Sequence, residues 1–148
     1  MEEKLREMGL RLEGHFILMS DVSSNIFWNI EKMFQYPQWV RIEAVREWIY
    51  RIGLYRPNNL VGIPSGGLSL ARDIGSIVAL NTHITDRHTT TVGLNRRTIV
   101  VDDVMTTGNT VKRYLSDETV AVAVLVNRSG LSEVSGIPVV TGIFADRV

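Results

Sequence analysis

The sequence predicts an α/β fold, a doubly wound parallel sheet flanked by helices, and three observations carry that expectation. Short β-branched runs such as Leu60–Ile63, Thr98–Val101 and Val120–Val126 read as strands buried on both faces, the mark of a parallel sheet. The first two are followed by helical patterns, Leu68–Val78 and Gly108–Leu115, so strand and helix alternate. Polar, glycine-bearing loops separate each of those strands from its helix, where ligands sit in folds of this class.

Taken in order, Met1–Arg11 is charged along its length and lacks the apolar core of a secretory signal. Met1 to Leu54 reads as mostly helical, with one irregular stretch between Gly14 and Glu31. Trp39, Val40, Ile42, Val45, Trp48, Ile49 and Ile52 recur at three-to-four spacing, which predicts a core-facing helix over Gln38–Gly53. Pro138–Phe144 is a further strand candidate. The 148 residues fit a single domain, 1–148, with N-terminal helices and a small hood in 1–54 and the α/β core in 55–148.

Composition narrows the function. Hydrophobic residues make up 45% and charged residues 22%, as in a globular domain rather than a disordered chain. Lys plus Arg equals Asp plus Glu at 16 each, which argues against bulk electrostatic binding to nucleic acid or acidic membranes. With no cysteine, disulfide and thiolate chemistry are excluded. The longest apolar runs are too short to cross a bilayer, so a cytoplasmic protein is expected.

The most informative segment is Thr98-Ile99-Val100-Val101-Asp102-Asp103-Val104-Met105-Thr106-Thr107-Gly108-Asn109-Thr110. A strand delivers two adjacent carboxylates, then a hydroxyl- and glycine-rich turn opens a helix. Backbone N–H groups and threonine hydroxyls at a helix start suit a phosphate without any lysine. Two carboxylates beside a phosphate are not there to bind it; they suit ribose hydroxyls or the water shell of a magnesium ion held mainly by the ligand. Singly, each piece has a plainer use, as a solvated turn or a helix cap.

As one unit the segment resembles the phosphoribosyl pyrophosphate (PRPP) motif of the type I phosphoribosyltransferases. Further stretches are similar to the orotate phosphoribosyltransferases in particular. Gly14-His15-Phe16-Ile17-Leu18-Met19-Ser20, followed by Ser24-Asn25-Ile26-Phe27-Trp28-Asn29, resembles their N-terminal signature. Leu60–Ala71, with Pro64-Ser65-Gly66-Gly67, resembles their pyrophosphate loop, and Val126-Asn127-Arg128 resembles their Val-Asp-Arg. The resemblance implies an orotate-type glycosyltransferase of pyrimidine biosynthesis that uses Mg2+, PRPP and a nucleobase, and a homodimer with neither membrane nor nucleic-acid partner. It implies PRPP contacts from Ser65, Gly66, Gly67, Asp102, Asp103, Thr106, Thr107, Gly108, Asn109 and Thr110, and base contacts from Phe27, Trp28 and Arg128. Asp102, Asp103 and Arg87 are its candidate catalytic residues, with no direct protein ligand to the metal.

The sequence departs from the family pattern in one region above all. The long closing loop of the family, with its Arg-Lys-x-x-x-Lys-x-His type pattern, corresponds here to Ile84–Arg97, about ten residues shorter. It contains no lysine; Arg87, His88, Arg96 and Arg97 are its cationic candidates, and Arg96-Arg97 reads as a solvated turn before a strand. Met19 stands where many orotate enzymes have lysine, Asp21 where glycine is usual, and Gly66 where some members have lysine. Three functions therefore stay open: a transferase, a PRPP- or nucleotide-binding regulator without turnover, and an RNA-binding regulator, the last without a basic stripe to support it. His15 reads as structural, and Phe27 and Trp28 have packing as an alternative use.

Overall fold

The computed structural model describes residues 1–78, 83–86 and 96–148. Arg87, His88 and most of the region equivalent to the closing loop lie outside the described residues. The order of elements is α1 (Glu2–Glu7), β1 (Arg11–Ile17), β2 (Ser23–Trp28), a 3₁₀ helix (Ile30–Gln35), α2 (Gln38–Gly53), β3 (Asn59–Gly62) and α3 (Gly66–Val78). There follow β4 (His83–Thr85), β5 (Thr98–Met105), α4 (Asn109–Lys112), β6 (Thr119–Asn127), β7 (Glu133–Val134) and β8 (Ile137–Phe144).

Six strands form one sheet in the order β4-β3-β5-β6-β8-β7. The first five in that order pair in parallel, and β7 is an antiparallel edge on β8. The parallel, doubly wound expectation holds for the core, and the edge hairpin adds to it. β5 pairs with β3 at Val61↔Val100 and Gly62↔Val101, while β4 lies on the other side of β3. The chain thus reverses its direction of winding between β3 and β5, and the carboxyl ends of those strands open the crevice where such folds bind ligands.

Two expectations are corrected. The stretch read as irregular from Gly14 to Glu31 is largely an antiparallel hairpin, β1 with β2, followed by the 3₁₀ helix. Its register shifts between Glu13 and Phe16, so Gly14 and His15 break the strict alternation by which a strand is recognised. The helix read over Gly108–Leu115 is α-helical only over Asn109–Lys112. Beyond it the chain tightens into i→i+3 bonds, Tyr114 N–H to the Val111 carbonyl and Leu115 N–H to the Lys112 carbonyl.

α2 buries Ala44, Val45, Trp48, Ile49 and Ile52 against the sheet, and the Trp48 indole donates to the Val140 carbonyl at 2.9 Å. Val45, Ile49 and Ile52 each contribute about 1.5–3 kcal/mol by leaving water. Trp39, read as part of that stripe, is instead 74% exposed, because it belongs to the first turn, ahead of the buried face. α3 buries Gly66, Gly67, Leu70, Ala71 and Ile74, a 3–4 repeat that lays one face on β3 and β5. A bidentate pair from Arg41 to Asp73, with 2.8 Å to each carboxylate oxygen, pins α2 to α3.

Candidate active site

The strand that carries the Asp pair is longer than its apolar run. β5 continues through Asp102 and Asp103 to Met105, with Asp102 opposite Val124 of β6. Asp102 accepts from the Asp103 N–H and Asp103 from the Val104 N–H, both at 2.8 Å, so the carboxylates cap their own backbone at the strand's carboxyl end. Asp102 is buried, and burial together with the neighbouring Asp103 charge holds its pKa well above the usual carboxylate range.

Close packing brings the β3 loop beside this pair. A Cβ on Gly66 would lie 2.3 Å from Asp103 Oδ2, and one on Gly67 2.4 Å from the Val101 carbonyl oxygen. Only glycine lets the start of α3 approach β5 this closely. After β5, Gly108 takes φ +88°, the left-handed region open to glycine, and turns the chain into α4. Thr107 Oγ1 accepts from the Asn109 N–H at 3.2 Å, and Thr106 Oγ1 donates to Ser20 Oγ at 2.8 Å, tying this turn to the β1–β2 hairpin.

These elements enclose a cavity of about 450 Å³. Of the residues picked out for phosphate, Ser65, Gly66, Thr106, Thr107, Gly108 and Thr110 line it, as do Asp102 and Asp103. Gly67 lies beneath it as a packing residue, and Asn109 sits exposed outside the lining. Phe27, Trp28 and Arg128, picked out for the base, line the same cavity. Phe27 stacks on Phe16 with ring centroids 5.3 Å apart. His15 is exposed on the hairpin and not part of the lining, and Arg97 donates to the Tyr55 carbonyl at 2.8 and 3.0 Å.

Arg128 follows β6 directly and is 2% exposed. Its Nε donates to the Asp146 carbonyl at 2.8 Å, one terminal nitrogen to the Ile26 carbonyl at 2.9 Å, and the other to Ser24 Oγ at 2.7 Å. All three acceptors are neutral, and burial pulls its pKa down against the more distant Asp146 charge. A guanidinium has five N–H donors, so these three bonds leave a donor on each terminal nitrogen, enough for one carboxylate.

Two further lining residues stand outside the sequence-derived candidates. Glu31 accepts a hydrogen bond from Ser65 Oγ, brought there by the 3₁₀ helix, and Ser20 reaches Thr106 from the hairpin turn. Ser20 could have been picked out from its place in the N-terminal signature; nothing around Glu31 marks it. Among the described residues no group of three His, Cys, Asp or Glu side chains could hold a metal. Two adjacent carboxylates fit a magnesium ion that keeps most of its oxygens from a phosphorylated ligand and water. No helix among the described residues is long and apolar enough to cross a membrane.

A switch-point crevice with an Asp-Asp strand end, a Thr-Thr-Gly turn and a glycine loop on the neighbouring strand defines a phosphoribosyltransferase of type I fold. Similarity to solved structures agrees on the fold. The orotate phosphoribosyltransferase of Aeropyrum pernix superposes with a TM-score of 0.74 at 22% identity, over 94% of this chain and 92% of that one. Leishmania donovani UMP synthase gives a TM-score of 0.74 at 23% identity, over 94% of this chain and 35% of that longer one. In sequence, the orotate phosphoribosyltransferase of Caldanaerobacter subterraneus subsp. tengcongensis is 31% identical over 93% of this chain and 81% of its own length. No family model matches the chain. The chain belongs to the orotate phosphoribosyltransferase family, whose members are enzymes of the glycosyltransferase type.

Proposed function

We propose that the cavity binds PRPP and orotate and transfers the phosphoribosyl group to a base nitrogen, with magnesium and with release of pyrophosphate. The observation that carries the acidic base is Arg128: a buried guanidinium, braced by neutral oxygens alone, that lines the cavity with donors to offer. A carboxylate on the ligand supplies the counter-charge that the fold withholds. Phe27 and Trp28 give the ring an apolar and aromatic wall.

Strand order supports the reading of the other groups. Ser65 follows β3, the Asp pair lies near the carboxyl end of β5 and Arg128 follows β6, an order that fits pyrophosphate loop, ribose site and base site side by side across the sheet. Thr106, Thr107, Gly108 and Thr110 take the 5′-phosphate, and Ser65 and Gly66 the pyrophosphate, while Gly67 packs beneath the loop and Asn109 stands outside the lining. Asp102 and Asp103 hold the ribose hydroxyls and lie nearest the metal. Magnesium, when bound, neutralises charge on the pyrophosphate oxygens. The bond from C1 of the ribose to pyrophosphate breaks as the base nitrogen bonds to C1, and the electron pair leaves with pyrophosphate. The protein's own share is to align the two reactants and exclude water around an oxocarbenium-like centre. Arg87 is the cation proposed to meet the departing charge. The same reading has the chain act as a cytoplasmic homodimer and a single domain.

A second reading, a PRPP- or nucleotide-binding regulator without turnover, is favoured by one feature. The charged residues lining the cavity are Glu31, Asp102 and Asp103 against Arg128 alone among the described residues, and Ile84–Arg97 brings no lysine. The experiment is pyrophosphate release from PRPP and magnesium across orotate, uracil and purines. Orotate-dependent release is the expected result. Saturable PRPP binding with no release for any base would replace the transferase by the regulator.

A further inference from the structure

Outside the cavity lining, one carboxylate gathers the groups that build its base-binding wall. Asp146 lies in the segment that follows β8, at φ +44°. Trp28 Nε1 donates to Asp146 Oδ2 at 2.7 Å, Arg11 Nε to the same oxygen at 2.9 Å, and an Arg11 terminal nitrogen to Oδ1 at 3.0 Å. The backbone carbonyl of the same residue takes Arg128 Nε at 2.8 Å. Two backbone bonds fix the segment against the end of β6: Ala145 N–H to the Asn127 carbonyl and Val148 N–H to the Arg128 carbonyl, each at 3.1 Å. One residue therefore joins β1 through Arg11, β2 through Trp28 and the β6 loop through Arg128, two of which line the cavity.

We infer that Asp146 is a positioning residue for the base: it sets the relative placement of Trp28 and Arg128 without touching ligand. This rests on the reading of Arg128 and Trp28 as base-contacting groups. The physical argument is one of geometry. The hairpin and the β6 loop are far apart in sequence and meet through side chains, so the distance between aromatic wall and guanidinium is fixed only as well as the brace that spans them. Ile26 and Ser24 hold the Arg128 terminal nitrogens from the hairpin side, and Asp146 closes the ring from the other. Displacing reactants by about 1 Å costs up to about a hundredfold in rate, and binding of a small planar acid is subject to the same geometric demand.

The test compares wild type with Asp146→Asn, Asp146→Ala and Arg11→Gln, measuring orotate KM, kcat and PRPP Kd. Asparagine keeps an oxygen for the Trp28 indole and tolerates the positive φ, so it preserves the fold where alanine strains it. KM is read from the folded fraction alone, so partial unfolding lowers apparent kcat without moving it. The expected result is an orotate KM raised about tenfold in Asp146→Ala and less in Asp146→Asn and Arg11→Gln, with PRPP Kd within about twofold of wild type. The Trp28 indole N–H, followed by NMR, should lose its protection in Asp146→Ala. An active wild type with unchanged orotate KM in all three variants overturns the positioning role and leaves the function standing. Equal losses in orotate and PRPP affinity overturn it as well, by showing a general structural role. A wild type with no orotate-dependent release removes the functional reading, and the inference falls with it.

Discussion

Asp102 and Asp146 are two carboxylates of one molecule under opposite electrostatic regimes. Asp146 is tied to Arg11 in an ion pair and accepts from Trp28, and those hydrogen bonds hold its pKa below the usual carboxylate range. Asp102 is more deeply buried, stands beside a second carboxylate, and has no ion pair among the described residues; its pKa is pushed the other way. Asp73 belongs with Asp146, clamped by Arg41. Where the fold needs a carboxylate for its own integrity, it supplies an arginine. Beside Asp102 it supplies none among the described residues, and under the proposed function a ligand brings the missing partners: hydroxyls, and cations accompanying a polyphosphate.

The sharpest way to break that contrast is to neutralise the uncompensated pair. Asp102→Asn with Asp103→Asn should lower orotate-dependent pyrophosphate release by about a thousandfold or more, since electrostatic groups at reacting centres are each worth about 10²–10³. The protein should remain folded by circular dichroism, because the two asparagines still accept from the Asp103 and Val104 positions' N–H groups. Retained turnover would show that the pair is ordinary strand-end chemistry. A smaller expected effect comes from Gly66→Ala. The new Cβ would fall 2.3 Å from Asp103 Oδ2, forcing that carboxylate aside, and should weaken PRPP about a hundredfold with unchanged far-ultraviolet dichroism.

The contrast between the two carboxylates also marks what a sequence can disclose. Asp102 and Asp103 were legible because they sit in one short unit with the strand before them and the threonine turn after them. The parallel core was legible for the same reason, as continuous β-branched runs need no knowledge of their neighbours. That β5 runs on to Met105 was not, since two adjacent aspartates end an apolar pattern while the backbone ladder continues. The hairpin hid behind its register shift at Gly14 and His15. Asp146 and Glu31 were beyond reach altogether: Trp28 and Asp146 stand 118 residues apart, and Glu31 meets Ser65 across 34. Braces of this kind are properties of the fold, with no local signature.

Asp73→Asn probes the architectural class directly. It leaves Arg41 without its charge partner, and a partly buried pair broken on one side should cost about 2 kcal/mol of stability. Urea unfolding should show a lowered midpoint at unchanged m, and pyrophosphate release under native conditions should equal wild type. Loss of activity at full stability would place Asp73 among the functional carboxylates and blur the division.

The smallest effect is also the most specific, because it depends on the sign of the Asp102 shift. A carboxyl whose folded-state pKa is raised favours the folded state fully below its unfolded pKa, near 4, and loses that contribution as pH rises through the folded value. Asp102→Asn removes the titrating group, so the variant should be the more stable protein at pH 8, with the advantage gone below pH 4. Asp146, shifted in the other direction, weakens both proteins equally in acid and cancels from the difference. Urea titrations of wild type and variant at pH 4, 6 and 8 measure it. A variant less stable than wild type at pH 8 would mean that the Asp102 carboxylate is stabilised in place, and that the molecule braces it as it braces Asp146.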